Sequence, residues 1–186
     1  MSGATIALER VAIGVASVVV SVALIALLSG FFASRDSAGL AGSASVPGQT
    51  FTDLGHRHLA PSQRGGPYDS DPPTSGPHHV AAVTRDQTPL STDQLLEALE
   101  LGNVVIDYAP PRPASGLVGV VHRLAPPFSP ALAASGQAVI LSPRAGTQGI
   151  VALAWAHLLR VGAPGDPRLR AFIGYWLGRG ATTGCC

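Results

Sequence analysis

The longest pattern in this chain is an apolar run with no charge to break it. Residues 11–32 read VAIGVASVVVSVALIALLSGFF, twenty-two positions without a charge, between Glu9-Arg10 and Arg35-Asp36. At about 1.5 Å of rise per residue, a helix of this length covers a hydrocarbon core of roughly 30 Å. A backbone in lipid must satisfy its own hydrogen bonds, so the run predicts one transmembrane helix. A cleaved signal peptide would have an apolar stretch of about 7–15 residues and then small residues, where this chain has Phe31 and Phe32. The expectation is an uncleaved anchor to membrane lipid. The positive-inside comparison sets Arg10 and the amino terminus against Arg35. The short leading tail then places residues 1–10 in the cytoplasm and the rest of the chain outside the cell membrane, as a single-pass protein.

Beyond the anchor the patterning changes. Residues 33–49 (ASRDSAGLAGSASVPGQ) have no periodicity and read as a flexible linker. Residues 51–77 carry Pro61, Pro67, Pro72, Pro73 and Pro77 among glycines, which opposes regular helix or central strand. Such a long loop is functional or disordered. STDQLLEALEL over residues 91–101 is the clearest helix of this part. Ser91 and Gln94 fit a capping box, Asp93 suits the amino-terminal dipole, Leu95, Leu96 and Leu99 form a stripe, and Gly102 can close the end. VVIDY (104–108) and AVILS (138–142) read as strands. LVGVVHRL (117–124) suits helix or strand, and IVALAWAHLLRV (150–161) begins as strand and continues as strand or helix, so that in the order of elements it stands as a strand or a hairpin. DPRLRAFIGYWL (166–177) is an amphipathic helix capped by Asp166, with Pro167 in its first turn. The order predicts an α+β domain over residues 50–180, a sheet of three or four strands covered by helices, with a disordered tail at residues 181–186.

Composition narrows the function. The net charge is +1 and all twelve basic residues are arginine, so no strong field steers the chain to nucleic acid. Cys185 and Cys186 are the only cysteines. Adjacent cysteines cannot close a loop across a domain, so the fold has no internal disulfide framework. A soft metal, an intermolecular bridge, a lipid or no role at all remain open for them.

Histidine is the concentrated chemistry. Of six histidines, His56, His58, His78 and His79 fall within residues 56–79. Imidazole is the commonest transition-metal ligand, yet this spacing matches no compact zinc motif. YDSDPPTSGPHH (68–79) also fits a plain rigid connector, since its dipeptides are turn formers. Thr74-Ser75 beside His78 lack a nucleophile elbow or an oriented acid, so no catalytic residue is assigned. His122 and His157, in apolar runs, read as partly buried, hydrogen-bonded side chains. Trp155 and Trp176 read as core or membrane-proximal aromatics.

The strings FTDLGHRHLAP, PYDSDPPTSGPH, LLEALELGNVVIDYAP, ILSPRAG, IVALAWAHLLRV and RLRAFIGYWLGRG, in this order, resemble a bacterial family catalogued as domain of unknown function number 3105. Its members are typically held by one N-terminal helix, and it implies no activity. The resemblance puts family histidines at His58 and His78, and two more on the helix at the positions of Glu97 and Leu101. Four converging histidines would suit copper or zinc. This chain keeps two, offers a carboxylate at Glu97 and cannot ligate through Leu101; His79 and His56 are the nearest substitutes. The implied metal set is His58, His78 and Glu97. The functional expectation is a membrane-anchored extracytoplasmic binding module; the alternative is an accessory or structural subunit of a membrane protein complex, with no ligand of its own.

Overall fold

The computed structural model of the chain describes residues 46–181. The expected anchor over residues 11–32, the tail before it, nearly all of the linker and residues 182–186 lie outside the described residues. No helix among the described residues is long and apolar enough to cross a membrane.

Short β-branched and leucine-rich runs form the centre. Strands β1 (Gln49–Thr50), β2 (Val104–Tyr108), β3 (Val139–Pro143), β4 (Ile150–Ala154) and β5 (His157–Val161) make one sheet in the order β1-β5-β4-β2-β3. Only β2 and β3 run parallel; the other pairs are antiparallel. The expected sheet of three or four strands therefore has five, and the α+β class holds. The added strand is a two-residue edge, too short for hydrophobic alternation to reveal. Gln49, placed by sequence at the end of the linker, already pairs with Leu158 in it.

The central strands are buried along their whole length, and their alternate residues serve two cores. On one face Val104, Ile106, Leu141 and Ile150 pack with helices α2 (Leu117–Leu124) and α4 (Pro167–Trp176) through Leu117, Val121, Leu169, Phe172 and Ile173. On the other, Val105, Ile140 and Leu153 pack with α1 (Thr92–Leu101) through Leu95, Ala98 and Leu99, and with the short α3 (Pro130–Ala134) through Ala133. The ambiguous run at residues 117–124 is a helix, part of the crossover that the parallel β2–β3 pair requires. His122 is exposed in its last turn rather than partly buried, because the face carrying Leu117 and Val121 turns inward.

Helix α1 has the capping box read from sequence. The Ser91 side chain accepts from the Gln94 backbone amide, and the Gln94 side chain accepts from the Ser91 amide. Gly102 closes the helix at φ 107°, a conformation that costs other residues strain. Replacing Ser91 with alanine should lower unfolding free energy by about 1 kcal/mol, measured by urea denaturation. An unchanged midpoint would show that the tertiary contacts of α1 alone define its start.

Residues 150–161 form a hairpin. Trp155 and Ala156 make the two-residue turn, and Ala156 takes φ 57°. The turn has none of the usual asparagine or glycine. It is held from outside: the Ala156 amide donates to the Thr74 carbonyl (3.0 Å) and its carbonyl accepts from the Phe51 amide (2.9 Å). The same loop partners tie down residues 51–79. Ser75 Oγ donates to the Thr52 carbonyl and accepts from the Leu54 amide, and Tyr68 donates to the Pro77 carbonyl. At the far end Asp71 takes Arg144 on its carboxylate (2.7 Å) and Arg160 on its carbonyl. The proline-rich stretch is thus an ordered loop fastened to the sheet at both ends.

Candidate metal centre

Two extended pieces of that loop meet at a single parallel bridge between His58 and His78. The Leu59 amide donates to the His78 carbonyl (2.8 Å) and the His78 amide to the Arg57 carbonyl (3.3 Å). Opposed residues in a bridge send their side chains to the same face. The two rings stand edge to face, 5.4 Å between centroids. Both face the last turn of α1, where Glu97 and Glu100 share one side at three-residue spacing.

Four atoms converge there. One ligand atom each from His58, His78, Glu97 and Glu100 lies within 4.8 Å of the others. Glu100 Oε2 is 3.2 Å from Nε2 of both His58 and His78. Glu97 Oε2 is 3.8 Å from His58 Nε2 and 3.6 Å from His78 Nε2. A tetrahedral zinc ion, with bonds of about 2.0–2.2 Å, would set its ligand atoms roughly 3.4 Å apart. The spacing is that of a coordination shell.

Hydrogen bonding gives the decisive polarity. His78 is fully buried, and its Nδ1 is 2.9 Å from the Gly76 carbonyl, which can only accept. Nδ1 therefore carries a proton, and in the neutral ring Nε2 presents its lone pair to the carboxylates. His78 Nε2 and Glu97 Oε2 are both buried without a hydrogen-bond partner. Lone pairs facing lone pairs in a buried site are costly unless something electron-poor sits between them.

A second ring of contacts supports these groups. His56 Nδ1 is 3.3 Å from Glu100 Oε1, the oxygen turned away from the other histidines. His79 lies outside the four. Its backbone amide and Nδ1 meet Asp93, and its Nε2 is 3.2 Å from the Ala60 carbonyl, so it pins the loop to the first turn of α1. Asp93, Glu97 and Glu100 thus form one acidic stripe along the helix facing the histidine loop. Trp155 flanks the site, its ring 6.4 Å from those of both His56 and His78. His56→Ala should weaken metal binding by about 10–100-fold while leaving the fold intact, the range for partners that orient a ligand. Isothermal titration would measure it, and an unchanged affinity would make His56 a bystander.

All three residues expected from sequence, His58, His78 and Glu97, come together. Glu100 is the addition, and its signal was the three-residue spacing from Glu97. Of the two nearest substitutes, His56, two residues from His58, reaches the site through Glu100, and His79 does not. Leu101 is an exposed side chain at the helix end, and His157 instead hydrogen-bonds the Trp155 carbonyl and stacks on Trp176. Burial holds the pKa of His157 below its ordinary value. Thr74 and Ser75 are buried scaffold of the loop.

The model of the family described as "Protein of unknown function (DUF3105)" matches residues 62–183. The chain belongs to this family. The matched stretch holds His78, Glu97 and Glu100, while His56 and His58 lie just upstream of it. No curated protein and no solved structure matches the chain.

Proposed function

We propose that this protein is a divalent-metal-binding module, carried outside the cell on a single membrane-spanning helix, with His58, His78, Glu97 and Glu100 as ligands. The observation that carries the reading is the buried, unpartnered Nε2 of His78 aimed at two carboxylates. Two neutral imidazoles and two carboxylates have a net charge of −2, which one dication neutralises. The donor set of nitrogen and oxygen without sulfur suits zinc and copper(II) and offers little to copper(I). The His58 side chain is 47% exposed, so an ion can enter from solvent without unfolding the domain. The charge-free run at residues 11–32 supports the anchoring half of the proposal.

Elemental analysis of the purified full-length chain, after dialysis against zinc or copper, tests the ligand set. Stoichiometric metal is expected in the wild type and a loss of more than about tenfold in affinity in Glu100→Gln, which keeps shape and removes charge. Equal metal content in the two, or none in either, would refute this centre.

A further inference from the structure

The face of the sheet opposite α1 carries a separate group of charges. Helices α2 and α4 pack there, joined through Leu117, Val121, Leu169 and Phe172. Together with the loop that leads from β5 into α4, they frame a cleft of about 360 Å³. Val120 and Arg123, three apart on α2, line one wall; Pro167 and Arg170, three apart on α4, line the other. Pro164 and Pro167 stiffen the loop side of the rim. A Cβ on Gly165, between them, would meet nothing within 4 Å, so the mouth stands open.

The charge of the cleft is unbalanced. Asp166 is the carboxylate on its rim, and that carboxylate is engaged: Oδ1 accepts from the Arg168 amide (2.9 Å) and Oδ2 from Arg168 Nη2 (2.7 Å). Those two side chains cancel. Among the described residues, no carboxylate lies within ion-pair distance of Arg123 or Arg170. Arg123 folds back over Gly119, so that its Nη1 is 3.5 Å from where a Cβ would stand. Arg123 and Arg170 thus leave two uncompensated positive charges at one cleft, in a chain whose net charge is +1. Like charges at one cleft repel unless an anion lies between them, and the low-dielectric walls concentrate their field.

We propose that this cleft binds a phosphate monoester, with Arg123 and Arg170 gripping the phosphate from opposite walls. A guanidinium presents its donors as a planar fork that matches phosphate oxygens, and two forks suit one dianion. A phosphate monoester has a charge of about −1.5 to −2 at neutral pH, which two arginines balance; a carboxylate would leave one of them uncompensated. Val120, Pro164 and Pro167 supply apolar wall for the organic part of the ester. The volume falls within the range of roughly 300–1,000 Å³ found for small-molecule sites. The same phosphate chemistry is offered by a soluble ester and by a lipid headgroup. The cleft lies across the sheet from His58, His78, Glu97 and Glu100, and its ligand is independent of the metal.

Isothermal titration of the full-length chain with phenyl phosphate tests this, in mild detergent and with metal stripped and the chelator removed. Saturable binding with a Kd at or below about 1 mM is expected. Arg123→Gln/Arg170→Gln should weaken it by more than about tenfold, since each loses a charge-assisted hydrogen bond. Both side chains are exposed, so circular dichroism of that variant should match the wild type. Arg64→Gln/Arg85→Gln removes the same charge from other exposed positions and should bind as the wild type does. No saturable binding in the wild type, wild-type affinity in Arg123→Gln/Arg170→Gln, or an equal loss in Arg64→Gln/Arg85→Gln would overturn the site and leave the metal centre standing. The source of the phosphate is read from the same chain in phosphatidylcholine nanodiscs. Suppression of the titration by added phosphatidate, but not by oleate at equal charge, assigns a lipid headgroup; the same titration in both discs assigns a soluble ester.

Discussion

His78→Ala should lower zinc affinity by more than about 100-fold. Even residues that only orient a metal ligand account for about 10–100-fold, and His78 is the one proposed ligand with no solvent exposure at all. Its Nδ1–H bond to Gly76 fixes the ring before any ion arrives, so little entropy remains to be lost on binding. The substitution also leaves a cavity at a fully buried position and so weakens the fold. His58→Ala separates the effects, because that ring is half exposed and its removal disturbs little packing. Both variants should lose zinc in competition with a chromogenic chelator, while circular dichroism of His58→Ala matches the wild type. Wild-type affinity in His58→Ala with a folded spectrum would exclude this ligand set.

The second large effect concerns stability. Asp107 lies in the middle of the sheet, 3% exposed, with Oδ2 lacking a hydrogen-bond partner and Arg144 Nε 3.9 Å away. Burial pushes its carboxyl up to about 6, against the partial opposition of Arg144 and Ser142, and with a small push the same way from Asp71. The folded pKa lies above the unfolded one, so folding disfavours the ionised form. Below about pH 4 both states are protonated and the penalty vanishes; it grows between about pH 4 and 6 and is complete above. At 1.36 kcal/mol per pKa unit, this amounts to about 2–3 kcal/mol at pH 8 as an upper bound. Asp107→Asn should therefore be more stable than wild type at pH 8 by up to that amount and nearly equal to it at pH 4. Guanidinium denaturation at the two pH values, with chelator present to keep metal out of the comparison, measures it. A variant less stable at pH 8 would mean that Asp107 is held ionised by Arg144 and contributes to the fold.

The local grammar of the elements was readable because its causes are local. Ser91 with Gln94, Gly102, and Asp166 with Pro167 satisfy the end groups of α1 and α4 from within a few residues. Their stripes of leucine and phenylalanine became the buried faces for the same reason. The hairpin at Trp155–Ala156 was only one of the readings that its run allowed, because its turn is stabilised by Thr74 and Phe51, distant in sequence, and not by its own residues. Helix α3 also escaped notice: it has five residues, too few for periodicity, and its start depends on Ser129 capping Leu132. Asn103 binds three backbone groups from Ala98, Ala133 and Ala138, which no pattern in its own neighbourhood announces.

The amino-acid sequence alone determined the α+β class, the capped helix that carries the acidic stripe, the concentration of histidine before it, and the charge-free run long enough for a bilayer. Each depends on neighbours within one or two turns of chain, where covalent connectivity dictates geometry. The tertiary structure alone decided that His58 and His78 sit side by side, that Glu100 joins Glu97 against them, and that Ala181 returns to the same turn of helix. Those contacts join segments roughly 20 to 80 residues apart, and only the packing of loop and sheet around one core fixes such distances.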